Sequence, residues 1–345
     1  MSELQLPRSY RELLTPRETE KAILRIKESF QTNLAFELNL QRVTAPLFVP
    51  EGTGINDDLN GVERPVRFNI GAMNEQSAEI VQSLAKWKRL SLGDLGFSPG
   101  EGLYADMNAI RPDDTMDNTH SIYVDQWDWE LALDAGDRNL DYLKNIVRKI
   151  YDVIRRTERF ICHEYDALEP QLPEEITFVH AEDLAEAYPE LTTKERETKA
   201  CKEKGAVFVI GIGGDLGNGE VHDGRAPDYD DWSTPTGAGR HGLNGDILVY
   251  NRILETAFEL SSMGIRVDPQ ALSRQLELTG TEERRKLYFH RRLLAGELPA
   301  SIGGGVGQSR LCMLYLQKAH IGEIQASIWP KSMRRACAEK GIHLL

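Results

Sequence analysis

The chain is short of the features that would take it out of the ordinary globular classes. Its four cysteines, Cys162, Cys201, Cys312 and Cys337, are scattered and show no paired spacing. That argues against a disulfide frame or a thiolate zinc site and suggests reduced thiols in a cytosolic protein. No apolar run approaches membrane-spanning length, and the opening stretch MSELQLPRSYRELL lacks an apolar signal region. A cytoplasmic protein without a membrane partner is therefore expected. Positive charge is in deficit: 41 Lys and Arg against 54 Asp and Glu leave a formal charge of −13. Broad nucleic-acid binding needs cationic surface against phosphate, so no nucleic-acid partner is expected, although a local basic pocket stays possible. There is no internal repeat and no low-complexity linker. A single interwoven domain over residues 1–345 is the expectation, with 41% hydrophobic residues supplying a large core.

What the sequence does contain is organised around Arg111–Glu130. It reads as a strand ending at Arg111, a polar excursion (PDDTMDNT) and a return strand, HSIYVDQWDWE. Side chains alternate along a strand. Gln126, Asp128 and Glu130 therefore share a face with Ile122 and Val124, and Tyr123, Trp127 and Trp129 share the other. The aromatic row suits packing under helices. A carboxylate beside a carboxamide could hold a substrate ammonium group, or the face could simply be exposed and polar.

Thr15-Pro16-Arg17-Glu18 reads as a helix start with a capping box. Ala22, Ile23, Ile26, Phe30 and Leu34 then recur at helical spacing to about Glu37. LQRVTAPLF follows as a strand with Pro46 at its edge or end, and EGTGINDDLNG as a polar loop whose adjacent aspartates, Asp57 and Asp58, could cover a site. The spacing of Ile80, Val81, Leu84 and Trp87 predicts a helix over Asn74–Leu90, with Lys86, Lys88 and Arg89 near its end, where they could complement the dipole. Leu140–Tyr165 reads as a long surface helix, Thr192–Lys204 as another, GAVFVIGIGG as a buried strand and Asn218-Gly219 as a hairpin turn.

Asp223–Ser233 (DGRAPDYDDWS) is too rich in Asp, Pro and Gly for regular structure, yet it embeds Tyr229 and Trp232. Beyond it, NGDILVYNRILETAFELSS reads as two strands. If Tyr250 faces Glu255, Asp246 stands opposite Glu259, with Ser261 on the same face. Two opposed carboxylates need a cation between them, and Mg²⁺ bound to phosphate fits. A misjudged register would instead send Asp246 to solvent. SIGGGVGQSRLCMLYL matches neither a Walker loop nor a dinucleotide fingerprint. Its glycines could let a flat ring approach the backbone, and Arg310 could pair with phosphate oxygens.

In this order the pieces resemble the three motifs of class II aminoacyl-tRNA synthetase catalytic domains. Residues 16–46 resemble motif 1, residues 104–130 with Arg111 resemble motif 2, and residues 301–316 with Arg310 resemble motif 3. More closely, SLAKWKR, YVDQWDWE, RAPDYDDWST, LNGDILV, FELSSMGIRVD and IGGGVGQSRL resemble ammonia-dependent asparagine synthetases of type A, over nearly the whole chain. The resemblance implies an α+β fold with a mostly antiparallel central sheet flanked by helices. It implies a homodimer that converts L-aspartate, ATP and ammonia to asparagine through a β-aspartyl-adenylate, with Mg²⁺, releasing AMP and pyrophosphate.

By similarity Arg111 would hold the α-phosphate and activated carboxyl, Arg310 the triphosphate, and Asp246 and Glu259 the Mg²⁺. Lys88, Gln126 and Asp128 would grip aspartate with Ser83 nearby, while Ser261, Ser262 and Arg266 complete the floor. Asp57 and Asp230 match loop positions near the carboxyl that is amidated. One departure is visible: Gln82 stands where the family usually shows His before SLAKWK. No cysteine is placed to hydrolyse glutamine, since residue 2 is Ser and Cys162 falls in a surface helix, so free ammonia is the expected nitrogen source. The rival readings are a class II aminoacyl-tRNA synthetase, which should carry an anticodon-binding module and a basic tRNA-facing surface against the charge of −13 seen here, and a non-catalytic sensor that kept the fold.

Overall fold

The computed structural model describes residues 4–57, 59, 63–217 and 219–345. At its centre lies an eight-stranded sheet built from β1 (Leu40–Arg42), β2 (Gly102–Ile110), β3 (Tyr123–Ala132), β4 (Thr177–His180), β5 (Ala206–Ile210), β6 (Asn244–Asn251), β7 (Thr256–Ile265) and β8 (Ser301–Gly307). The spatial order is β1-β2-β3-β8-β7-β6-β5-β4. Only the two edge pairs, β1 with β2 and β4 with β5, are parallel; every inner pair is antiparallel. The expected α+β fold with a mostly antiparallel sheet flanked by helices is the one observed.

One face of the sheet is covered by helices. Helix α1 (Pro16–Glu37) starts with the expected capping box at Thr15 and Glu18 and buries Ala22, Ile26, Phe30 and Leu34. Phe30 packs on Trp127 with ring centroids 4.6 Å apart. Trp127 and Trp129 are fully buried there, so the alternation along β3 does set the aromatic row under the helices. The long helix α3 (Leu140–Glu164) is less of a surface element than its charges suggest, since its apolar stripe, including Leu143, Ile150 and Ile154, sits in the same core. Burying such a stripe, rather than helix propensity, is what holds a helix of this kind in place.

Three stretches differ from the sequence reading. The run LQRVTAPLF is not one strand: β1 ends at Arg42, and Phe48–Pro50 belongs to a separate three-stranded sheet with Arg67–Ile70 and Gln76–Ile80. The helix expected over Asn74–Leu90 is half strand, because Asn74 and Glu75 turn into the left-handed region (φ 53° and 61°) and Gln76–Ile80 pairs on both sides. Helix α2 begins only at Ala85 and runs to Asp94, so Lys86, Lys88 and Arg89 lie in its first half and are buried. Asn218 of the expected Asn218-Gly219 turn lies outside the described residues, as does Asp58.

The third difference is the β6–β7 register. Asn251 accepts hydrogen bonds from the backbone of Ile253 and Leu254, and Glu255 takes φ 54°. The loop is therefore Arg252–Glu255, and Tyr250 faces Ala257 rather than Glu255. In that register Leu248 stands opposite Glu259, and a bulge at Leu260 adds one more residue of offset, which sets Asp246 opposite Ser262. The expected Asp246–Glu259 opposition is thus wrong. The same bulge brings Glu259 and Ser262 to one face and turns Ser261 away.

Candidate active site

The other face of the sheet carries a cavity of about 340 Å³. Its floor is β3 and β8, its walls are the N-terminus of α2, the loop after β2 and the irregular run Asp223–Asp230, and Asp57, which is buried, lines it as well. Among the residues singled out from sequence, Asp57, Ser83, Lys88, Arg111, Gln126, Asp128, Asp230, Glu259, Ser262, Arg266 and Arg310 all line it. Asp246 and Ser261 do not. Ser261 donates its hydroxyl to the Gly305 carbonyl at 2.9 Å and is buried in the sheet.

The glycines of β8 are required by their neighbours. A Cβ at Gly303 would stand 2.0 Å from Oε2 of Glu130, and one at Gly305 would stand 2.4 Å from Oε1 of Gln126. In the sequence this run stands out only for its glycines and Arg310. It is a central strand, stripped of side chains so that the polar side chains of β3 can lie across it. Helix α4 (Gln308–Tyr315) starts directly after it and carries Arg310 in its first turn.

Lys88 is the fixed cation at the floor. Its Nζ donates to Oδ1 of Asp128 at 2.5 Å and to the Gly304 carbonyl at 2.8 Å. Burial pulls its ammonium below the ordinary lysine value, against the pull of Asp128. Oδ2 of Asp128 is buried and has no hydrogen-bond partner among the described residues. Below this pair, Arg266 is held by Glu130 at 2.9 Å and also by Asp230. Burial raises the Glu130 carboxyl, but Arg266 outweighs it and holds it below the usual range. At Asp230 burial wins and the carboxyl is raised. Removing one partner of such a buried set typically costs about 3–5 kcal/mol, so Arg266, Glu130 and Asp230 shape the floor before they do any chemistry.

Arg111 leaves β2 with Nε and Nη2 both donating to the backbone carbonyl of Gln82, at 3.2 and 3.0 Å. Gln82 itself is fully buried, and its carboxamide donates to the Arg64 carbonyl at 3.4 Å. Ser83 accepts from the Ala85 amide at 3.1 Å and so trims the start of α2. Across the cavity, Arg310 meets Glu259 at 3.4 Å.

Sequence reasoning passed over Arg225, although RAPDYDDWS was noted. Its Nη2 reaches both oxygens of Asp246, at 2.6 and 2.5 Å. Burial raises the Asp246 carboxyl to about 6, with Arg225 pulling it back and Glu259 pushing it further. Glu259 goes the other way, to about 2, because Arg310 and Arg225 outweigh its burial. The cation demanded by two neighbouring carboxylates is therefore already present as a guanidinium. Only a two-strand pattern was being read, and the run that supplies Arg225 comes from outside it. His120 was also missed. It lines the cavity with Nδ1 2.9 Å from Asp117, on the loop before β3, which starts at Tyr123 and not at His120 as the return strand was read.

The fold and this cavity define the class. The chain superposes on the asparaginyl-tRNA synthetase of Pyrococcus horikoshii complexed with asparaginyl-adenylate at a TM-score of 0.66 and 16% identity, over 91% of this chain and 70% of that one. The Entamoeba histolytica asparaginyl-tRNA synthetase gives a TM-score of 0.64 at 14% identity, over 90% of this chain and 66% of that one. The fold is that of the class II aminoacyl-tRNA synthetases. Within it, the chain belongs to the aspartate–ammonia ligase family, whose model matches residues 17–341. It is 57% identical to the aspartate–ammonia ligase of Parabacteroides distasonis and 56% identical to that of Clostridium perfringens, in both cases over the full length of both chains. The protein is a ligase, and the resemblance read from its motifs is correct.

Proposed function

We propose that the cavity activates the side-chain carboxyl of L-aspartate with ATP as a β-aspartyl-adenylate, releases pyrophosphate, and passes the acyl group to ammonia to give L-asparagine and AMP. The observation that carries this reading is the Lys88–Asp128 pair, whose second carboxylate oxygen is buried, lines the cavity and lacks a partner among the described residues. That oxygen suits the ammonium of an amino acid, with Gln126 beside it and Lys88 available to a carboxylate. Carboxylate is a poor electrophile, and a phosphoryl group turns its oxygen into a leaving group. Arg111 and Arg310 face the same space, and arginine forks hold phosphate oxygens in two directions. Such a transfer runs on positioning and charge stabilisation and needs no covalent nucleophile.

Mg²⁺ usually takes one or two protein carboxylates together with phosphate oxygens and water. Glu259 fits that requirement, since its side chain is 37% exposed and only loosely held by Arg310. Asp246 fits less well, since it does not line the cavity and both its oxygens are held by Arg225. The ion would screen phosphate charge when bound. The arginines of this chain do the orienting.

The test is pyrophosphate release with purified protein, ATP, aspartate and ammonium, repeated with tRNA and with glutamine. Release and asparagine formation should depend on aspartate and ammonium, gain nothing from tRNA, and stop when glutamine replaces ammonium. Burial raises all four thiols, Cys162 and Cys337 to about 11 and Cys312 to about 12. None of them resembles the thiolate that glutamine hydrolysis requires. Asparagine formed from glutamine would overturn that part of the reading.

The site is proposed to work in a homodimer formed through α1 and the edge strand β1. Leu24 and Phe36 on α1 are 57% and 86% exposed, an apolar surface that a twofold contact would cover. Sedimentation at micromolar protein should give a dimer mass. A fully active monomer would rule the interface out.

A further inference from the structure

Beside the main cavity lies a second one of about 220 Å³, entered between Pro50, Gly52 and Arg67, which are exposed, and floored by Lys86, Asp228 and His290, which are buried. Asp57 and Glu63 line both cavities and form the wall between them. We propose that this second cavity is the ammonium site of the enzyme, where ammonium gives a proton to His290 and from which ammonia passes Asp57 to the activated aspartate. The proposal rests on the reading that ammonia is the nitrogen donor.

The floor is built like a general base. Oδ2 of Asp228 stands 2.9 Å from Nε2 of His290 and also accepts from Lys86 at 3.1 Å and Arg284 at 3.2 Å. A neutral imidazole with its Nε2–H on a carboxylate has its lone pair on Nδ1. That Nδ1, and Oδ1 of Asp228, are buried and have no hydrogen-bond partner among the described residues. Two acceptors without donors are costly to bury, and ammonium offers four donors and no acceptor. Gly54 keeps the way open, because a Cβ there would stand 3.1 Å from Nδ1 of His290.

The charges facing His290 suit a small cation. Asp57, Glu63, Glu79 and Asp228 bring four carboxylates to the lining. Arg67, Lys86 and Arg284 oppose them, with Arg67 tied to Glu79 at 2.9 Å at the mouth. The step balances as follows. One N–H bond of ammonium breaks and a proton joins Nδ1, leaving neutral ammonia and an imidazolium steadied by Asp228. The ammonia lone pair forms the C–N bond at the β-carbonyl, the carbon–oxygen bond to AMP breaks, and the nitrogen gives its extra proton to the Asp57 carboxylate. The imidazolium returns its proton to solvent through the mouth.

His290→Gln tests this, because glutamine can still donate to Asp228 but cannot take up a proton. The KM for total ammonium near neutral pH should rise roughly 10- to 100-fold. The gap should close in alkaline solution, where neutral ammonia is plentiful. A second variant, Thr53→Trp at the mouth, narrows the entrance without touching the floor. It should raise the KM for ammonium and leave aspartate-dependent ATP–pyrophosphate exchange as it is. If Thr53→Trp and a folded His290→Gln both keep the normal KM for ammonium, the chamber is not the route. A His290→Gln protein that fails to fold leaves Thr53→Trp to decide alone. Failure of the unaltered protein to make asparagine from ammonium would instead refute the proposed function.

Discussion

Replacing Arg111 with lysine should cut aspartate-dependent ATP–pyrophosphate exchange by roughly 30- to 1000-fold, from losing about 2–4 kcal/mol of transition-state stabilisation. The structure makes the reason concrete. Arg111 spends Nε and Nη2 on the Gln82 carbonyl, which fixes the plane of the guanidinium, and lines the cavity where the β2 strand ends. A lysine keeps the charge, but it can hold either the carbonyl or a phosphate oxygen in that position and has no plane to fix. Its single ammonium would point wherever its flexible stem allowed. The fold should survive, since Arg111 is only partly buried and belongs to no buried ion pair among the described residues, so circular dichroism and thermal unfolding should stay close to normal. Near-normal exchange in such a folded variant would remove Arg111 from the activation step.

Much of this could be read from the chain because the informative residues lie on regular elements. Trp127 and Trp129 alternate with Gln126, Asp128 and Glu130, so a two-residue period sorts core from site. Thr15 and Glu18 cap α1 locally, and Ala22, Ile26, Phe30 and Leu34 keep its period. The failures share a different cause. Asn74 and Glu75 adopt left-handed φ values that no periodic count anticipates, and they change a helix into a turn and a strand.

The β6–β7 pair fails for the same kind of reason. A single bulged residue, Leu260, reassigns every face beyond it, so Glu259 and Ser262 come together and Ser261 leaves. Arg225 was not legible because it reaches Asp246 from an irregular run, and contacts of that sort are set by tertiary closure alone. The buried group of Lys86, Asp228 and His290 joins residues as far apart as 86 and 290. Lysines counted as helix-end charges in the sequence prove to be buried partners of carboxylates, which only the folded chain displays.

Asp57→Asn should separate the two half-reactions more sharply than any other single change. Asp57 is almost fully buried, lines both cavities, and receives the backbone amide of Leu59 at 3.1 Å through Oδ1. Asparagine keeps the shape and can still accept that amide through its oxygen, so the loop should hold. It would lose the negative charge that helps draw ammonium into the chamber it lines, and the capacity to take a proton from the attacking nitrogen. The proposed adenylation step would need neither, because phosphate and carboxyl would be handled by the arginines and Lys88. Exchange of pyrophosphate into ATP should therefore stay within a few-fold of normal, while asparagine formation falls by roughly 100- to 1000-fold, the usual worth of a positioned general base. Alkaline solution should recover part of the loss by supplying neutral ammonia directly. If exchange and synthesis fall in parallel, Asp57 is holding the loop or the substrate, and the proton must be taken elsewhere.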